Sequence, residues 1–240
     1  MKEKILAYSI KYQGDWNKIA RAISNEEKAE KISCSVSYVT IVEEEYPQKL
    51  KALRFPPWIL FYSGDITLLN KPSLGIVGSR QISDYGSWCT RKIVDTVKDR
   101  RVIISGMAKG IDAEAHWAAM SYHTVGVLGN GLNTVYPKEN RELYRMMKQK
   151  QLLISEYPPD TPVRKHHFPW RNRIIAALSD KLVIPQAKIR SGTMSTVSCA
   201  IEIGKEIYSV PVNLNDPIGE GNNELIENVA AILTHFEDLI

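Results

Sequence analysis

The densest chemistry in the chain lies between Thr161 and Ser179, TPVRKHHFPWRNRIIAALS, which holds Arg164, Lys165, Arg171 and Arg173, two histidines and no acid. Pro169 suits the first turn of a helix, so Arg171 and Arg173 fall in opening turns, where cations oppose the helix dipole. A bound phosphodiester turns that penalty into attraction. Phe168 and Trp170 interleave with the basic groups, the pattern expected where a base stacks beside a phosphate contact. The plainer account caps the core with Phe168 and Trp170 and pairs the arginines with Glu156, Asp160 and Asp180. His166 and His167 read as polar residues at a helix start.

Other small, basic and hydroxyl residues recur in short turns. These are Gly78-Ser79-Arg80, Ser105-Gly106, Lys109-Gly110-Ile111-Asp112, Gly129-Asn130-Gly131, Ser155-Glu156, and the loop KIRSGT (188–193) with Arg190 and Ser191. Turn geometry alone accounts for many of the glycines, but not for Arg80 or Lys109 inside the same turns. No GxxxxGK[ST] loop is present, and neither GIVGSR nor VLGNGL completes GxGxxG, so nucleotide motifs of those types are not supported. HExxH and CxxC are also absent, and neither a metal nor a cofactor is expected. Cys34, Cys89 and Cys199 lie far apart and are odd in number, which fits a reducing cytoplasm better than a disulfide framework.

These turns need elements to position them. SLGIVG (73–78), RVIISG (101–106), TVGVLGNG (124–131), QLLISE (151–156), KLVIPQA (181–187) and EIYSVPV (206–212) are short, continuously apolar and rich in Ile and Val. They alternate with helical segments near 84–99, 111–121, 138–149, 168–179 and 192–204. That rhythm predicts a mainly parallel sheet covered on both faces, an α/β three-layer Rossmann-like fold. Ligands of such sheets gather at the carboxyl ends of the strands, which is where the basic turns fall. Residues 1–70 read as a small N-terminal module, with short helices over 6–36, a capping box from Ser24 to Glu27 that opens a charged helix, and a strand in WILFYSG. Residues 71–240 read as the main domain.

The charge agrees with this division. Residues 71–205 carry 21 basic and 11 acidic groups, whereas residues 206–240 carry seven acids and no Lys or Arg. One polyanion-facing surface is expected rather than a uniformly basic coat. No window is apolar enough to span a membrane, and the first residues lack a signal-peptide pattern, so a cytoplasmic protein is expected.

Taken in order, GIVGSR, SGMAKGIDAEAH, TVGVLGNGLNTVYP, LLISEYPP, FPWRNRIIAALS, SGTMSTVSCAIEIGKEIYSVP and GEGNNELI resemble the DNA-processing protein A family, from about residue 40 to residue 240. The resemblance implies an extended Rossmann domain that binds single-stranded DNA in a basic pocket without sequence preference. It also implies a homodimer that helps to load a RecA-type recombinase during natural transformation, with no enzymatic activity. It makes Arg80, Lys109, Lys165, Phe168, Arg171 and Arg173 the candidate DNA contacts, joined by Ser79, Gly106, Arg190 and Ser191. Of the two arginines in RNR, Arg171 is expected at the DNA and Arg173 in the structure, because residues two apart on a helix do not face the same way. Asp112 and His116 match positions expected to brace the second βα turn. Pro185-Gln186-Ala187 departs from the family pattern, in which an acid is expected on the pocket wall, and Pro211-Val212 replaces a usual Pro-Gly. The N-terminal module reads as short for the family, and with the sequence read to Ile240 the winged-helix-like domain of some members is not expected. The rival readings are a nucleotide-processing enzyme on the same fold, with Glu156 or Asp112 as acid–base group, and a protein-interaction module.

Overall fold

The computed structural model describes residues 1–240. The chain opens with α1 (Lys2–Lys11) and α2 (Trp16–Ser24), the latter capped where the Asp15 carboxylate accepts from the Lys18 N–H at 3.0 Å. β1 (Ser37–Thr40), α3 (Gln48–Lys51) and β2 (Ile59–Ser63) follow. The alternating part then runs β3 (Ser73–Ile76), α4 (Asp84–Val97), β4 (Val102–Ser105), α5 (Ile111–Ala118), β5 (Thr124–Leu128), α6 (Arg141–Lys150), β6 (Leu152–Ser155), α7 (His167–Leu178), β7 (Lys181–Ile184), α8 (Gly192–Glu202) and β8 (Glu206–Ser209). It closes with α9 (Glu220–Asn228) and β9 (Ala231–Ile232).

All nine strands form one sheet in the order β1-β2-β6-β5-β4-β3-β7-β8-β9. From β6 to β9 every pairing is parallel, while β2 pairs antiparallel with both β1 and β6. The fold is therefore an α/β domain on a mixed, mostly parallel sheet, with a helical module at the N-terminus. Ser37–Thr40, in the uncharged and β-branched run VSYVTIV (36–42) just before the charges at 43–45, adds a strand that the expectation for the N-terminal module did not include.

The parallel strands are apolar on both sides because both sides are covered. Leu152 and Ile154 join Ile174, Ile175 and Leu178 of α7 on one face. On the other, Leu74 and Ile76 pack with Ile93 and Val94 of α4, and Leu153 packs with Leu143 and Met147 of α6 and with Ile5 of α1.

The charged helix expected after Ser24 does not form. Ser24 ends α2, Glu26 turns the chain with φ +48, and residues 25–36 are irregular. The Glu27 carboxylate, expected to complete a capping box, instead accepts from Tyr12 Oη at 2.6 Å and pairs with Lys11. That tertiary contact outweighs the local helix signal.

Candidate nucleic-acid interface

The chain runs outward from β3 through β4 and β5 to β6, then crosses back to β7 on the other side of β3. Ligands of open α/β sheets collect outside the carboxyl ends of the strands where the order reverses in this way. A cleft of about 560 Å³ opens at that point. One wall is the loop after β3, from Val77 to Gln81, and another is the loop leading into α8, with Lys188, Ser191, Gly192 and Thr193. The start of α7 adds Lys165, Phe168, Arg171 and Asn172. Two backbone bonds fix the walls: Ser79 N donates to Gln186 O at 2.7 Å, and Ile111 N donates to Ser79 O at 3.1 Å.

Arg80 is exposed at the cleft mouth and Lys165 is exposed on its rim. Arg171 lies in the floor, only 5% exposed, with one Nη donating to the Val127 carbonyl and Nε donating to Asn172 Oδ1 at 3.2 Å. Burial lowers its pKa to about 10; neighbouring Arg80 pushes the same way and Asp112 opposes. The Asp112 carboxylate accepts from the backbone N–H groups of Ala108 and Gly78, and burial raises its pKa against the pull of Arg171. Gly106 makes room for this pair, since a Cβ there would lie 2.6 Å from Asp112 Oδ2 and from the Arg171 guanidinium. Its part is therefore spatial. His116 is fully buried, with Nε2 on Gly106 O at 2.6 Å and Nδ1 on Thr124 Oγ1 at 2.7 Å, and it locks α5 to β4 and β5.

Phe168 is half-buried, its ring 5.3 Å from that of Tyr136. Behind the two rings a smaller recess of about 70 Å³ shares Arg80 and Arg171 with the cleft and carries Lys109 on its lining. Lys109 pairs with Glu139 on the surface. Ser79 is buried and accepts from Gln81 N at 3.2 Å; Ser191 lines the cleft and donates to Lys188 O at 2.8 Å.

Four candidates do not line this cleft: Lys109 lies on the smaller recess and Gly106 packs against Asp112 and Arg171, and two more stand apart. Arg190 is exposed on the loop beside it but does not line it. Arg173 is buried elsewhere, with Nη1 and Nη2 donating to Glu156 at 2.8 and 2.6 Å, Nε donating to Phe55 O at 3.0 Å, and the guanidinium 4.2 Å from the Trp170 ring centroid. Gln186 corrects another expectation. Its side chain is buried and turned to α4, accepting from Ser83 N at 3.0 Å and donating to Asp216 at 2.9 Å, so its neutrality takes no acid from the cleft wall. Gln81, Asn172 and Tyr136 line the cleft without being candidates from the sequence, and Lys188 lines it from the loop KIRSGT. Asn172 was visible only as the centre of RNR. No group of three or more His, Cys, Asp or Glu side chains is close enough to hold a metal ion, and no helix is long and apolar enough to cross a membrane.

The family model described as DNA recombination-mediator protein A matches residues 37–240. The DNA processing protein DprA of Streptococcus pneumoniae is 37% identical over 203 residues, covering 84% of this chain and 72% of the relative. The DprA of Bacillus subtilis is 38% identical over 208 residues, covering 85% and 70%. An X-ray structure of the S. pneumoniae protein superposes with a TM-score of 0.83 at 30% identity, covering 99% of this chain and 92% of that one. A structure of DNA processing protein A from Helicobacter pylori, described for its single-stranded DNA binding mode, superposes with a TM-score of 0.77 at 32% identity, covering 85% and 94%.

Proposed function

The chain belongs to the DNA recombination-mediator protein A family, and from that premise we propose that its cleft binds single-stranded DNA without sequence preference. The observation that carries the reading is the meeting of Arg80, Lys165 and Arg171 with the Phe168 ring at the carboxyl ends of β3 and β7. Arg80 and Lys165 neutralise phosphates. Arg171 supplies a fixed positive floor, and Phe168 offers a base a stacking surface. Phosphate contacts and stacking carry little base information, so sequence neutrality follows. Ser79, Ser191 and the neighbouring backbone N–H groups complete the track, with Lys109 and Arg190 reinforcing the field at its edges.

In this reading residues 71–240 form a Rossmann-like DNA-binding domain and residues 1–70 a flanking module. The protein acts in the cytoplasm as a homodimer, protects incoming single strands and assists their loading with a RecA-type recombinase in transformation and recombination. Catalysis has no part in it. The one carboxylate lining the cleft, Asp112, is already held by two backbone N–H groups and faces Arg171.

The test is binding of labelled single- and double-stranded DNA of matched length across a salt series. Single strands of any sequence should bind alike and more tightly than duplex. Arg80→Ala should weaken them all and lower the salt slope by about 0.7, one counterion's worth on a single strand. If Arg80→Ala binds like the parent at low salt, the track model is wrong.

A further inference from the structure

A second groove, of about 510 Å³, lies beside the start of α7. Its far wall is the turn joining α1 to α2, from Lys11 to Lys18; its near wall is Arg164, His166, His167 and Trp170, with Tyr157 between. Lys165 and Phe168 line the cleft, whereas Arg164, His166 and Trp170 line this groove. Adjacent Cα atoms are about 3.8 Å apart, so one short stretch of backbone is the wall common to both.

The groove has the chemistry of a nucleotide strand. Arg164 is exposed and donates to the Gln13 side-chain amide oxygen, with no carboxylate partner. Lys18 sits 3.7 Å from Asp15, an exposed pair worth little against a phosphate. Asp15, the one acid in the lining, is occupied as the cap of α2. The aromatic surfaces are held in place. Trp16 donates its indole N–H to Pro56 O at 2.7 Å and meets the Phe55 ring at 5.1 Å. Trp170 rests on Phe55 at 5.7 Å and on the Arg173 guanidinium. His167 stacks on Tyr157 with centroids 3.9 Å apart, and burial holds its pKa down at about 4. Lys11 is already paired with Glu27, but fixed aromatic platforms beside Arg164, a cation free of acids, are the makings of a sequence-tolerant single-strand site.

We propose that this groove is a second single-strand subsite, continuous with the cleft across the start of α7, which takes the nucleotides that leave the cleft. The inference rests on the cleft being the DNA site. It assigns the N-terminal helices a part in binding and predicts a footprint longer than the cleft alone.

The test uses the full chain and fluorescent oligothymidylates from about 4 to about 16 nucleotides, the range over which single-strand sites extend. Arg164→Ala should leave the shortest oligomer's affinity unchanged, reduce the gain on lengthening, and lower the salt slope on long oligomers alone by about 0.7. Trp170→Ala should cost the long oligomers about 5- to 150-fold, the worth of one stacked base, and Trp170→Phe should restore most of it. Because Trp170 also covers Arg173, melting curves accompany both variants. The subsite is refuted if both alanine variants match the parent at every length, or if they weaken short and long oligomers equally. Short oligomers that bind through Arg80 with a length gain indifferent to the groove refute the subsite and leave the cleft reading standing. Failure of every length to bind refutes both.

Discussion

Two arginines of one helix, two positions apart, have opposite surroundings. Arg171 faces the cleft floor beside Asp112 without a close ion pair, whereas Arg173 is clamped bidentately by Glu156, with both side chains under a tenth exposed. Breaking a buried pair by removing one partner typically costs about 3–5 kcal/mol, because the survivor is left charged and dry. Arg173→Ala should therefore lower the melting temperature sharply, while the folded fraction binds short single strands in the cleft as the parent does at low temperature. Replacing both partners, as in Arg173→Met with Glu156→Leu, should recover much of the loss. Normal stability of Arg173→Ala together with lost binding would place Arg173 at the DNA instead.

At the level of elements, the cleft depends on α5 being seated against β4 and β5, and His116 is the bolt. Burial, above all, lowers its pKa to about 4. In the unfolded chain it titrates near 6.5, so as pH falls the unfolded state takes up the proton first. The stability is complete above about pH 6.5 and is lost as pH falls toward 4, by about 3 kcal/mol for this one group. His167, also buried and lowered to about 4 by burial and then by neighbouring His166, adds to the loss in the same direction. Denaturant midpoints at pH 7 and pH 4.5 should separate widely in the parent and converge in His116→Gln. An equal separation in both would show that His116 does not carry the acid sensitivity.

At the scale of the whole molecule, a long single strand bound by two linked sites gains avidity without new contacts, which gives the proposed dimer a purpose. The C-terminal apolar residues divide: Leu225 and Leu233 are buried in the core, while Val229 and Ile232 are 47% and 49% exposed, Ile232 on the edge strand β9. An unpaired edge with exposed apolar side chains invites pairing with another chain. Sedimentation should give twice the 27.2 kDa of the chain, and Ile232→Asp should return it to 27.2 kDa. A parent that sediments at 27.2 kDa at micromolar concentration would rule the dimer out.

The parallel strands and the helices between them were legible in the sequence because both signals are local: an unbroken Ile/Val run marks a strand covered on two faces, and a helix declares itself within a few turns. The place of the cleft was legible for the same reason, since Arg80 falls in the turn after β3 and Lys165 and Phe168 fall at the start of the helix that follows β6. Helical spacing also says that Arg171 and Arg173 face different ways, but which of them lines the cleft and which pairs with Glu156 came from the packing. What only the tertiary structure decided was which distant segment meets which. Of three candidate acids, Glu156 holds Arg173, while Asp160 accepts from Asn133 and Asp180 pairs with Lys49. Gln186 turns to α4 and not to the cleft, Glu27 serves Tyr12 and not a helix cap, and Arg164 shares a groove with Gln13, 151 positions away. Those choices depend on how the packed sheet brings remote backbone together. Side-chain type limits what a residue is able to bind, but only the folded chain determines what comes within reach.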